Sequence, residues 1–103
     1  MFINSLQNEK VLLKELSESN ERAFEKIYYF YGPRIYGHVL KLVKSESFAQ
    51  DLLQDIFVSI WDHRQNINPE KSFRSYLFRI SENKVYDFFR KLARDKKLYE
   101  QFQ

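Results

Sequence analysis

The sequence predicts an all-α fold, a compact bundle of three long helices plus a short N-terminal one. Apolar residues recur at helical spacing in every segment, without the sustained alternation of a half-buried strand. Two Gly and two Pro punctuate 103 residues, which favours long helices with short connections. The clearest stretch is Phe48 to Trp61, whose apolar residues fall in pairs at 48/49, 52/53, 56/57 and 60/61. That is the stripe of a helix with one face in a core.

The elements come in order. Residues 1–18 hold a short amphipathic helix with Leu6, Val11, Leu12, Leu13 and Leu16 on its apolar side. Ser17 to Asn20 reads as a turn ending in an N-cap, because Ser and Asn oxygens accept from the free amides of a following helix. The next helix spans about Glu21 to Val43. Gly32-Pro33 is expected to kink or break it, since proline removes a backbone hydrogen bond and crowds the preceding turn. Ser47 with Gln50 matches a capping box, which starts the central helix near Phe48; it runs to about Arg64. Gln65 to Lys71 is a polar loop with a turn at Asn68-Pro69. The last helix starts near Ser72 and continues to about Leu98, with no Gly or Pro to stop it. The whole is one domain, with a short helix in 1–18 and a helical core in 20–98. A chain of this size buries about two thirds of its unfolded surface.

Composition narrows the function. Without cysteine there is no disulfide, thiolate metal site or Cys nucleophile. No apolar run approaches the roughly 20 residues of a membrane span, and no secretion signal opens the chain, so a cytoplasmic location is expected. His38 and His63 stand on different helices, and neither belongs to a metal-binding pair. Asp51 and Asp55 lie one turn apart with no third ligand in view. Neither a Gly-rich phosphate loop nor a nucleophile elbow occurs. No catalytic residue, metal or cofactor is expected, and the chain reads as a binding protein.

The net charge of +3 is unevenly spread. Residues 45–62 carry four acids (Glu46, Asp51, Asp55, Asp62) and no Lys or Arg, whereas residues 63–97 carry ten basic side chains against four acidic ones. Such separation suggests two different partners, one of them a polyanion, or else simply solvated helix faces. On the last helix, Tyr76, Arg79, Asn83, Tyr86, Asp87, Arg90, Arg94 and Lys97 recur three and four apart on one face. Cations neutralise phosphates, rings stack on unstacked bases, and Asn offers a donor and an acceptor to a base edge. This face suits single-stranded or distorted nucleic acid. The plainer alternative is that Asp87 pairs with Arg90 or Lys91 and that the tyrosines cap the core.

The order Phe24-Glu25-Lys26-Ile27-Tyr28, Arg34-Ile35-Tyr36, Ala49 to Phe57 with Trp61, then Phe73 to Ile80 with Asn83, Asp87 and Arg90 resembles region two of bacterial sigma factors. The resemblance is to the small extracytoplasmic-function group and covers roughly residues 20–95. It implies that Asp51, Gln54 and Asp55 dock on the clamp helices of the largest subunit of core RNA polymerase. It also implies that the loop 65–71 and the start of the last helix, with Asn68, Lys71, Arg74 and Tyr76, capture unstacked minus-ten bases of the non-template promoter strand. Arg79, Asn83, Asp87 and Arg90 would contact the DNA where melting begins, and the helical spacing adds Tyr86 and Arg94 to that face. Trp61 would be a core residue, and an anti-sigma factor is a further implied partner. Two departures are visible: Tyr76 stands where the family most often has Trp, and Glu82 where a small or basic residue is common. The family's second domain, a helix-turn-helix after a flexible linker, would lie beyond Gln103, so the chain is expected to be a domain cut from a longer factor, with a shortened relative as the alternative. The competing function is a helical protein-interaction adaptor that does not bind DNA. A conventional duplex-binding domain ranks third, because its short recognition helix after a tight turn is missing.

Overall fold

In a computed structural model, which describes residues 6–102, the chain forms five α-helices and one short 3₁₀ turn, with no strand among the described residues. These are α1 (Glu9–Ser17), α2 (Glu21–Val43), α3 (Glu46–Asp62), the turn Arg64–Asn66, α4 (Phe73–Arg94) and α5 (Lys96–Phe102). The part of the expected N-terminal helix in residues 1–5 lies outside the described residues.

Most helix starts are fixed by a side-chain cap. Asn20 Oδ1 accepts from the Ala23 amide at 3.0 Å, and Ser72 Oγ accepts from Ser75 at 3.1 Å. At α3 the cap is Ser45, not Ser47: Ser45 Oγ accepts from Phe48 N at 3.3 Å, so the helix starts two residues earlier than expected. Ser45 has the extended backbone of an N-cap, and Lys44 before it closes α2 in the left-handed region. The other end of α3 falls at Asp62 and passes directly into the 3₁₀ turn.

Two further expectations are corrected. The helix α2 is not broken at Gly32-Pro33; it is helical from Glu21 to Val43. The missing amide of Pro33 would have served the carbonyl of Tyr29, an exposed residue, and water can satisfy it there. The next carbonyl, of Phe30, accepts from Arg34 Nη1 at 2.6 Å, so a side chain supplements the weakened turn. The last helix, by contrast, is broken. Asp95 leaves the helical region, ends α4, and its Oδ1 accepts from Lys97 N and Leu98 N at 3.0 and 3.2 Å, capping α5. No Gly or Pro is needed, because an Asp side chain offers the backbone an alternative to continuing.

The core runs through Leu13 and Leu16 of α1, Ile27, Ile35, Val39 and Val43 of α2, Ile56 and Ile60 of α3, and Leu77 of α4, all nearly or fully buried. The α2–α3 pair is the most extensive packing; α4 lies across both, and α1 packs on α2 and the 3₁₀ turn. Along α4 the buried stripe is Phe73, Leu77, Ser81, Val85, Phe88 and Leu92, while Ile80 is only half-buried. The Ser81 hydroxyl donates to the Leu77 carbonyl at 2.8 Å, which lets a polar side chain occupy a fully buried position.

Candidate functional site

Between α2 and α3 lies an open groove of about 1120 Å³. Its floor is aromatic. Phe24 meets Trp61 edge-on at 5.3 Å, and Tyr28 meets Phe57 at 4.9 Å. Trp61, expected in the core, is therefore half-buried and forms part of a wall. Glu21, Glu25 and Asp51 supply the charge around the floor, and no Lys or Arg lines the groove. Asp51 and Gln54 both line it and are exposed; Asp55 is exposed but lies outside the lining. Tyr29 and Val58, 74% and 53% exposed, extend the apolar surface. An apolar trough with acidic edges suits an amphipathic helix bearing cations.

The outward face of α4 presents Arg79, Asn83, Tyr86, Asp87, Arg90 and Arg94, all exposed. Tyr86 is 66% exposed, and the Arg90 guanidinium sits 5.8 Å from its ring. Arg90 Nη1 also lies 3.8 Å from Asp87 Oδ1, the pairing the plainer sequence reading allowed. An exposed pair of this kind is weak and leaves the arginine available to an incoming phosphate. Tyr76 is half-buried, its ring 6.3 Å from Phe73, and Lys97 belongs to α5 rather than to this face. Arg74 is exposed on another flank: it reaches over Phe78 at 5.4 Å, and Phe78 packs on His38 of α2 at 5.1 Å. At 100° per residue Arg74 stands about 140° around the helix from Arg79. The ten residues expected at nucleic acid thus do not form one patch. Six share the outer face of α4, and the others fringe its N-terminal end.

At that end the connecting loop is built from its own polar groups. Asn68 Oδ1 accepts from Glu70 N at 2.9 Å and its carbonyl accepts from Lys71 N at 3.1 Å, while Ile67 is 7% exposed and plugs the core. Glu70 pairs with Lys10 of α1 at 3.3 Å. Nearby, Tyr31 Oη donates to the Glu9 carboxylate, stitching α1 to α2. Burial, and then the hydrogen bond and charge of Glu9, push the Tyr31 phenol well above its usual range, while Arg74 and Arg34 oppose the shift. Phe89, 38% exposed, flanks the buried Phe88, which the helical spacing places on the apolar side of the last helix. Arg64 reads in the sequence only as one of ten cations, although its side chain is half-buried and bonded back to the protein.

Residues 27–95 match the sigma-70 region 2 family, about two thirds of the sequence. The chain is 28% identical over 88 residues to the RNA polymerase sigma factor CnrH of Cupriavidus metallidurans, covering 85% of this chain and 46% of that protein. It is 26% identical over 73 residues to the ECF RNA polymerase sigma factor RpoE of Cereibacter sphaeroides, covering 70% and 40%. The chain spans somewhat under half the length of these curated relatives. Among solved structures, CnrH in complex with the cytosolic domain of CnrY aligns with a TM-score of 0.74 at 29% identity, over 89% of this chain and 60% of that one. An engineered region 2 of sigmaE in complex with GTAAAA aligns with a TM-score of 0.78 over 90% and 96%, and at 19% identity bears on the fold alone. Helical order, extent of match and shared architecture agree: the chain belongs to the sigma-70 region 2 family, within its extracytoplasmic-function group.

Proposed function

We propose that this domain acts in transcription initiation, binding core RNA polymerase through α3 and the α2–α3 groove and promoter DNA through α4 and the loop before it. The observation that carries this reading is the separation of charge onto two exposed surfaces of a sigma region 2 fold. The exposed part of α3 carries acids and no cation, and it borders an apolar groove. The outward face of α4 interleaves cations with an exposed ring and an amide. Asp51 and Gln54 are the polymerase contacts at the groove, and Asp55 extends them along α3 toward the largest subunit's clamp helices. Arg79, Arg90 and Arg94 hold phosphates, Tyr86 and Asn83 engage bases, and Asn68, Lys71, Arg74 and Tyr76 bound the site that captures the minus-ten non-template strand. Work of this kind is binding, not bond-making: stacking each unpaired base contributes about 1–3 kcal/mol toward an open duplex.

A regulatory protein of the anti-sigma kind is a further partner, a reading supported by the structure of a relative, CnrH, in complex with the cytosolic domain of CnrY. The setting is the cytoplasm, in keeping with the lack of cysteine; among the described residues no helix is long and apolar enough to cross a membrane. The adaptor reading is not favoured, because the family match and the sigma factor relatives both point to transcription initiation.

Replacing Asp51 or Gln54 with Ala should weaken association with core polymerase by about 2 kcal/mol or more, the scale of an interface hot spot. Both side chains are exposed, so helical circular dichroism and melting should stay as in the wild type. Undiminished polymerase binding by both variants would remove α3 from the interface.

A further inference from the structure

Of the two cations in the connection between α3 and α4, Lys71 is exposed and Arg64 is half-buried, its side chain folded back onto the protein. Arg64 Nε donates to Ser19 Oγ at 2.9 Å, and Nη1 donates to the Trp61 carbonyl at 2.8 Å. Its guanidinium carbon lies 4.3 Å from the centre of the Trp61 ring. One planar group therefore ties three things together: the α1–α2 turn, the last carbonyls of α3 and an aromatic face. The α3 helix has no basic residue in its own last turn, so Arg64 supplies the positive charge that its carbonyl end favours. The backbone of Arg64 continues the work, since its carbonyl accepts from Ile67 N at 3.4 Å and Ile67 is buried. Beyond this anchor Asn66, Asn68, Glu70 and Lys71 are all accessible at the surface, with Asn68 and Lys71 on the rim.

We propose that Arg64 is a positioning residue for the loop 65–71: it fixes the loop's entry so that the loop's amides and Lys71 are set before a base arrives. Its Nε and Nη1 donors are engaged by Ser19 and Trp61, and in this role it makes no contact with DNA. The inference rests on the reading that this loop captures promoter bases. A loop already ordered loses less freedom on binding, and that saving appears as affinity for the one sequence the loop fits. Lysine is not a substitute, having neither a flat face to stack on Trp61 nor donors in a fixed fork.

The test uses the protein assembled with core RNA polymerase and a library of fully randomised single-stranded DNA decamers. The sequence selected by the wild type and a shuffled version of it are then titrated at several salt concentrations. Arg64→Ala and Arg64→Lys should each lose about three- to tenfold in affinity for the selected sequence, the cost of re-ordering one or two side chains. They should keep the wild-type affinity for the shuffled one and the wild-type dependence of log K on log salt. Arg79→Ala, by contrast, should flatten that dependence by about one unit through a lost phosphate contact. Ser19 sits at φ 69°, so Ser19→Gly removes the hydroxyl while easing the backbone. That variant should melt no lower than wild type yet lose selectivity in the same direction, which separates positioning from stability. Fluorescence of Trp61, the single tryptophan, should shift to the red in both Arg64 variants as the ring is uncovered. A flattened salt dependence in Arg64→Ala would make Arg64 a phosphate contact and overturn the proposal. Wild-type selectivity in all three variants would overturn it too while leaving the base-capture reading intact. If the wild-type assembly selects no sequence, the base-capture reading itself falls and the role of Arg64 falls with it.

Discussion

Tyr31 shows how much one side chain settles here. Its ring is 2% exposed, packed 5.4 Å from Phe73, and its hydroxyl reaches across to Glu9 at the start of α1. Tyr31→Phe should therefore cost about 1.5–3 kcal/mol in denaturant unfolding, the range for a bond to a charged acceptor. The phenol titrates above its ordinary value of about 10, chiefly through burial, so the folded state holds a proton that the unfolded state gives up. This contribution is complete below about pH 10 and is lost as pH rises further toward the folded value. Stability should thus fall more steeply above pH 10 in the wild type than in Tyr31→Phe, as urea midpoints across about pH 9–11 would show. The partner of Tyr31 was not legible, because Glu9 lies 22 positions away. Ser81 was hidden for the opposite reason. A hydroxyl that satisfies itself on its own helix packs as a small core residue, whatever its polarity suggests.

At the scale of elements, helical content and order were readable and the ends were not. Both Ser45 and Ser47 are chemically able to cap α3, and the choice is made by the chain path leaving α2 through Lys44 at φ 55°. Ser45→Ala should cost about 1 kcal/mol of stability, whereas Ser47→Ala, inside the first turn of the helix, should cost almost nothing. Equal losses from the two would mean that the cap is shared. Pro33 and Asp95 make a complementary pair. The residue expected to break a helix is carried through because its cost falls on an exposed side, and the break comes instead at an aspartate that can cap α5. Below that break, Phe102 packs on Phe48 and Phe88 at 6.1 and 5.8 Å, so α5 is held by tertiary contacts as well as by its cap. The contact with Phe48 joins residues more than 50 positions apart and leaves no periodic trace in the sequence.

For the whole molecule, charge was the most readable property and shape the least. The separation of acids in 45–62 from cations in 63–97 carried over to the exposed residues of α3 and α4. The groove did not announce itself, because Phe24 and Trp61 become neighbours only when α2 and α3 pack. Its aromatic floor reads as core. Six of the ten expected nucleic-acid residues share the outer face of α4, while Arg74 is turned aside by Phe78. That groove has a further effect when no partner fills it. A wet aromatic trough edged by Tyr29 and Val58 is a cohesive surface, and the charges at its rim are what keep copies apart. Salts that strengthen apolar association and screen charge should drive the unbound protein out of solution. Light scattering in rising ammonium sulfate should begin earlier for wild type than for a Tyr29→Gln, Val58→Gln double variant, and an identical onset would locate the cohesion elsewhere. The solubility of the free protein is then a property of the same surface proposed to take a partner, and every copy without a partner carries that surface bare.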